Sequence, residues 1–336
     1  MSSAAPAIAP ATSDLAALKA LVTDDMARVN TLILEQAKSD IPLISDLASH
    51  LIAAGGKRLR PCLTIAAATL CGYVGDRHIR LAASVEFIHT ATLLHDDVVD
   101  DSKLRRGEAT ANALWGNKSS VLVGDFLLSR AFQLMVADGS LDVLKVLSDA
   151  AGIISAGEVH QLTVSHDLSI TEAVYEQVIS AKTAALFAAA CELGPLVSGQ
   201  LQWRERMRDY GQALGMAFQL ADDALDYMAD EDALGKAIGD DFRDGKVTLP
   251  VLLAYHQGAE SERQFWQNVL EGDDAISDAA LSEAKRLLAQ HQSCEATLQR
   301  AQDYAAKAIA LLAPFPDTAA KAALIEAAEF SYRRAF

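Results

Sequence analysis

Phe87-Ile88-His89-Thr90-Ala91-Thr92-Leu93-Leu94-His95-Asp96-Asp97-Val98-Val99-Asp100 reads as an apolar helix that ends in a cluster of carboxylates. The ending recurs at Phe218-Gln219-Leu220-Ala221-Asp222-Asp223-Ala224-Leu225-Asp226. At 3.6 residues per turn Asp96 lies above Asp100, and Asp222 above Asp226, so each segment carries paired carboxylates on one helix face. Like charges at that spacing repel, and at the end of a buried helix they call for a cation. One or two carboxylates, with water and substrate phosphate completing the shell, are the ligand set that Mg²⁺ prefers. A phosphate-bearing substrate is therefore expected. A third match, Asp240-Asp241-Phe242-Arg243-Asp244, is bracketed by Gly239 and Gly245. Those glycines predict a solvated loop, and no role is assigned to Asp240, Asp241 or Asp244.

Positive charge stands close to the acids in sequence. Arg105 and Arg106 follow the first motif, Lys236 and Lys246 the second, and Gly55-Gly56 precede Lys57-Arg58-Leu59-Arg60-Pro61. Adjacent glycines let backbone and cations approach an anion closely. Guanidinium groups bind phosphate oxygens bidentately and lysines act as point charges, so acids and bases together suit a diphosphate. His89 stands seven residues before Asp96, nearly on the same helix face, and can reach the same cavity. His95 and His160 have no such support and read as structural.

The rest of the chain bounds the answer. Its 336 residues are 51% hydrophobic and 22% charged, enough for one large core with no compositional division. Eight prolines, 6% aromatics and abundant alanine predict an overwhelmingly helical chain. Periodicity runs from Leu15 to about Leu51. Further helices are expected near 62–71, 78–101, 118–136, 141–163, 171–190, 201–229, 247–257 and 261–270, with amphipathic packing helices from about 277 to 332 and a polar connection over 102–108. Residues 1–14 read as a flexible tail ahead of a single domain over 15–336, not as a signal peptide. A formal charge of −16 argues against nucleic acid and anionic lipid as partners. Cys62, Cys71, Cys191 and Cys294 lack metal-ligand spacing, which points to reduced thiols and a cytoplasmic protein. No apolar run reaches the ~18 residues of a bilayer span.

From about Ile41 to the C-terminus the chain resembles the trans-type, head-to-tail polyprenyl diphosphate synthases, specifically the bacterial long-chain octaprenyl and decaprenyl group that supplies quinone side chains. The resemblance rests on ordered blocks: Gly55 to Pro61, Glu86 to Asp100, Arg105-Arg106-Gly107, Gly124-Asp125, Lys182-Thr183, Phe218 to Asp223 and Gly245-Lys246-Val247-Thr248-Leu249-Pro250. It implies an all-α helical bundle around a central apolar tunnel, and Mg²⁺-dependent condensation of isopentenyl diphosphate onto an allylic diphosphate. Carried onto matching positions, Lys57, Arg60, His89 and Arg106 would hold the isopentenyl diphosphate, and Arg105, Lys182 and Lys236 the allylic diphosphate. Asp96, Asp100 and Asp222 would ligate Mg²⁺, with Asp97, Asp223 and Asp226 in or beside that shell. Thr183 and Gln219 would face the reacting allylic carbon. The residue five before the first motif aspartate commonly roofs the tunnel. Here it is Ala91, about 7.5 Å along the helix from Asp96, sharing a face with Ser84 and Ile88 and leaving room for long products. The family also implies a homodimer and a lipid product destined for membranes. A shorter-chain farnesyl or geranylgeranyl synthase and a noncatalytic partner subunit stay open as alternatives.

Overall fold

The computed structural model describes residues 15–53, 56–105, 107–228, 239–272 and 276–333. Helices dominate: α1 Ala16–Ala37, α2 Pro42–Ala53, α3 Leu59–Leu70, α4 Arg77–Val99, α5 Ala111–Trp115, α6 Asn117–Asp138, α7 Leu141–Val164, α8 Glu172–Ile179, α9 Ala185–Ser198 and α10 Arg204–Met228. They continue with α11 Asp240–Arg243, α12 Leu249–Gln257, α13 Glu260–Leu270, α14 Asp278–Gln290, α15 Ser293–Leu311 and α16 Ala319–Arg333. The polar connection expected over 102–108 contains a small antiparallel hairpin instead, β1 Leu104–Arg105 against β2 Glu108–Ala109. Tight turning there draws Arg105 back toward the end of α4.

Two expected boundaries shift, each for a local reason. Periodicity from Leu15 to Leu51 hides a break at 38–41, after which Pro42 opens α2 at a position where its missing N–H leaves no bond unmade. The helix expected over 171–190 continues to Ser198 because Pro195 sits in its last turn and only Gly199, at φ +72°, ends it. Within that run residues Ser180–Ala184 form a π-helical turn. Among the described residues α6 is long and apolar enough on average to cross a membrane, but Asp125 and Arg130 interrupt it, so it holds no unbroken apolar run of the length expected for a span. It packs along α4 through Val123, Leu127, Ala131, Leu134 and Met135. His95 fills the gap over Gly124, where a Cβ would lie 2.3 Å from its Nε2, and so is structural.

Two apolar clusters form the interior, and α10 belongs to both. Its first half, Met207 to Leu214, packs with α3, α4 and α9, while Met216 to Tyr227 pack with α8 and α12 to α15. Gly211 and Gly215 bring α10 against α9 and the π turn: a Cβ at Gly215 would sit 2.5 Å from Ala184 Cα. That approach, one turn before Gln219, sets Gln219 beside Thr183. At the outer edge, Glu326 of α16 accepts the N–H groups of Ala17 and Leu18, the otherwise unpaired donors of the first turn of α1, at 3.3 and 2.9 Å.

Candidate active site

Both acidic helix ends open into one cavity of about 720 Å³. Its polar wall holds Lys57, Arg60, His89, Asp96, Asp97, Asp100, Arg105, Glu158, Lys182, Thr183, Gln219, Asp222 and Lys246, and Phe87, Leu93, Leu127, Phe187, Phe218 and Phe330 supply apolar surface. The two motifs, more than a hundred residues apart, thus meet. Each sits at a helix C-terminus, where the backbone dipole already disfavours negative charge.

On α4, Asp96 and Asp100 face the cavity. Burial pushes the Asp96 carboxyl up to about 7, with Lys182 pulling against it and Glu158 and Asp100 adding to it. Asp97 is 2% exposed and committed to Arg105, whose Nε and Nη2 lie 2.9 and 2.7 Å from its Oδ1. Arg105, expected on the allylic diphosphate, therefore serves first as the partner of a buried carboxylate. On α10, Asp222 faces the cavity. Asp223 does not line it: it is 2% exposed and accepts from the Tyr175 hydroxyl at 2.5 Å and from Gln219 Nε2 at 2.6 Å. Burial, then the nearby Asp241, raises its pKa well above the usual carboxylate range. Asp226 accepts the backbone N–H of Asp241 at 3.2 Å and is likewise outside the cavity wall. Asp96, Asp97, Asp100 and Asp222 thus line the shared space, Asp97 committed to Arg105 and Asp100 within 3.1 Å of Lys246, while Asp223 and Asp226 lie outside its wall and accept from protein donors.

The third acidic segment is not the solvated loop expected from its glycines. It folds as α11, with Phe242 fully buried edge-on to Trp266, at a ring separation of 6.0 Å. Folding it there brings Lys246 across to the first motif, 3.1 Å from Asp100, 3.0 Å from Asp244 and 3.7 Å from Asp241. Burial opposes the charge on Lys246, but Asp241, Asp100 and Asp244 together outweigh it and raise the ammonium pKa. Among the described residues no three carboxylate or imidazole side chains converge on one point. The donors form opposed walls of hard oxygens, which fits Mg²⁺ held between protein and a phosphate ligand rather than caged by protein alone.

Cations line the same cavity. Arg60, in the first turn of α3, stacks over the Phe187 ring at 4.3 Å and places Nη1 3.1 Å from His89 Nε2. Burial lowers its pKa to about 10, against the pull of Glu86, and its buried Nε has no hydrogen-bond partner. A desolvated guanidinium of this kind is built to receive an anion. Lys57 lies at the exposed rim, 4.2 Å over the ring of Phe330 from α16. Arg58 takes a left-handed conformation at φ +44° and gives its guanidinium to Asn30. Lys182 pairs with Glu158 of α7 at 2.7 Å, and the Thr183 hydroxyl donates to Gln219 Oε1 at 2.7 Å. The π turn aims both side chains, a recurrent use of such turns at functional sites. Arg106 and Lys236 lie outside the described residues.

Ser84, Ile88 and Ala91 do not line this cavity. All three are buried in the helix interior, and Phe87, Thr90 and Leu93 form the wall instead. Sequence reasoning missed Glu158, Tyr175 and the Asp241–Lys246 contact. Only Tyr175 and Lys246 left a local signal, Tyr175 being two helical turns before Lys182, and Lys246 lying in the Gly245 to Pro250 block.

Residues 41–288 match the family described as polyprenyl synthetase. The chain is 48% identical over 323 residues to octaprenyl diphosphate synthase of Escherichia coli (strain K12), covering 96% of this chain and 99% of that protein. Its structure resembles that of a polyprenyl synthase from Caulobacter crescentus CB15 complexed with calcium and isoprenyl diphosphate, with a TM-score of 0.93 at 51% identity, over 97% and 99% of the two chains. A decaprenyl diphosphate synthase from Rhodobacter capsulatus matches with a TM-score of 0.90 at 48% identity, over 95% and 98%. An all-helical scaffold, two acidic helix ends on one cavity, and a match over most of the chain lead to one conclusion: this chain belongs to the polyprenyl synthetase family of prenyltransferases.

Proposed function

We propose that the chain makes a long all-trans polyprenyl diphosphate, of octaprenyl to decaprenyl length, by adding isopentenyl diphosphate head to tail onto an allylic diphosphate. The observation that carries this reading is the meeting of Asp96, Asp100 and Asp222 with Lys182, Thr183, Gln219, Arg60 and His89 in one apolar-floored cavity. The octaprenyl and decaprenyl relatives support the length.

Asp96, Asp100 and Asp222 would hold Mg²⁺, and the ion, when bound, would supply positive charge that favours departure of the allylic diphosphate. Lys182, steadied by Glu158, extends the field, as would Arg105, Arg106 and Lys236. Lys57, Arg60 and His89 take the diphosphate of isopentenyl diphosphate. As the allylic C–O bond breaks, its electron pair leaves with the diphosphate, and the oxygens of Thr183 and Gln219 face the carbon left electron-poor. The isopentenyl double bond forms the new C–C bond, and a proton passes to the departed diphosphate. Phe87, Leu93, Phe187 and Phe218 exclude the water that would capture the cation.

Length control is assigned to Ser84, Ile88 and Ala91, a stripe of small and aliphatic side chains behind the cavity wall. Ala91→Phe should shorten the product and retain condensation, and an unchanged product ladder would remove Ala91 from this role. A homodimer is supported by the apolar face that α6 and α7 leave exposed, with Leu122 67%, Val136 65% and Leu141 82% accessible. Buried reduced thiols support a cytoplasmic location.

Incubation of the purified chain with isopentenyl diphosphate, farnesyl diphosphate and Mg²⁺, followed by mass spectrometry, tests the reading. Octaprenyl to decaprenyl products, abolished by chelation, are expected. A product stopping at geranylgeranyl would favour the short-chain alternative, and turnover only with a second polypeptide would favour a partner subunit.

A further inference from the structure

A second, smaller cavity of about 100 Å³ lies behind the first and shares with it only Lys182, Thr183, Gln219 and Lys246. Tyr175 and Asp223 line this rear cavity and not the front one. We propose that Tyr175 and Asp223 are positioning residues that lock Gln219 and Thr183 from behind, and that Asp223 acts through Gln219 rather than as a metal ligand. The inference rests on the proposed condensation reaction.

The argument is one of donors and acceptors. Both carboxylate oxygens of Asp223 are taken, Oδ2 by the Tyr175 hydroxyl at 2.5 Å and Oδ1 by Gln219 Nε2 at 2.6 Å. Gln219 Nε2 lies against Asp223 Oδ1, so the amide nitrogen points rearward and Oε1 forward. Oε1 then accepts the hydroxyl hydrogen of Thr183 at 2.7 Å, which leaves the lone pairs of the Thr183 oxygen to face the cavity. Without Tyr175 the carboxylate is free to turn and with it the amide. A reversed amide would present N–H groups toward Thr183 and turn the wrong end of the dipole toward a developing cation.

Misorientation has a chemical signature. When the allylic C–O bond breaks and its pair leaves with the diphosphate, the cation either accepts the π pair of isopentenyl diphosphate, losing a proton, or accepts a lone pair from water. Water capture forms a C–O bond, releases a proton and yields an allylic alcohol plus diphosphate. A poorly held cation partitions toward the alcohol.

The test compares full-length wild type with Tyr175→Phe, which deletes one oxygen, and Asp223→Asn, which retains the volume and invites amide reversal. Steady-state kinetics would be measured across a Mg²⁺ titration, with alcohol and condensed product both quantified. Expected is a fall in kcat of roughly 10- to 100-fold in each variant, the scale of a misplaced reacting group. A larger alcohol fraction is expected alongside, with KM for both substrates and the half-saturating Mg²⁺ concentration within about twofold of wild type. Circular dichroism and thermal unfolding check the fold, and either variant alone decides the matter. A Mg²⁺ requirement raised about tenfold in Asp223→Asn, with kcat restored at saturation, would make Asp223 a metal ligand and overturn the proposal. So would unchanged kcat and product partition in either variant. A wild-type protein that condenses nothing would instead refute the proposed function, so the two failures are separable.

Discussion

The two acidic helix ends share a pattern and solve its electrostatic problem differently. At the end of α4 the middle carboxylate, Asp97, is neutralised by the charged Arg105 of the adjoining hairpin, whereas at the end of α10 the middle carboxylate, Asp223, is satisfied by a phenol and an amide. Both carboxylates are 2% exposed, so burial does not separate them; the donors do. The neutral donors at Asp223 also carry orientation inward to Gln219. In both, the outer aspartates Asp96, Asp100 and Asp222 turn to the shared space. The repeated sequence thus combines one scaffold residue with cavity-facing ones, and the scaffold partner is charged in one copy and neutral in the other.

The largest effect that tests this division falls on the cavity-facing residues. Asp96→Ala or Asp222→Ala should cost roughly 10²-fold or more in turnover, the scale of losing a preorganised charge stabiliser. Wild-type rates in either variant would break the assignment of both walls to the same chemistry.

A smaller effect separates the two scaffold partners. Arg105→Ala strands the Asp97 charge in a buried position and should lower stability by about 2 kcal/mol, less than for a wholly buried pair because the arginine is partly in solvent. Tyr175→Phe removes one neutral hydrogen bond and should cost about 1 kcal/mol. Urea unfolding of the metal-free proteins checks the order, and the reverse ranking would mean the α10 motif relies on charge after all.

A separate effect is in pH. Asp96 holds its proton to about pH 7 in the folded protein, against a reference of 3.8. The folded state therefore binds more protons than the unfolded chain between those limits, and metal-free stability should fall as pH rises from about 4 to about 7. Asp96→Asn should flatten that slope. A slope unchanged in Asp96→Asn would place the raised carboxyl elsewhere.

Most of the helices, and each acidic motif, were legible because apolar periodicity and carboxylate spacing are local patterns, whereas the sharing of one site by the two motifs followed from the family resemblance. Asp96 and Asp222 could be found that way, and Lys182 and Thr183 through the family's ordered blocks. What escaped depends on contacts made across the fold. Nothing near Glu158 announces Lys182, since α7 and the π turn meet only after folding. The π turn itself has no composition of its own. Gly239 and Gly245 suggested a loop, but burial of Phe242 against Trp266 overrides turn propensity and brings Lys246 to Asp100. The stripe of Ser84, Ile88 and Ala91 is correctly one helix face, but a helical wheel cannot say which neighbour that face meets.

The capping of α1 by Glu326 bonds residues 309 and 308 positions apart in sequence. A chain emerging from the ribosome can satisfy those amides only after nearly all of it has been synthesised, so its first helix waits for its last. Premature termination ahead of Glu326 should therefore loosen the beginning of the protein as well as its end, and a permuted gene that joins the two termini should preserve that contact.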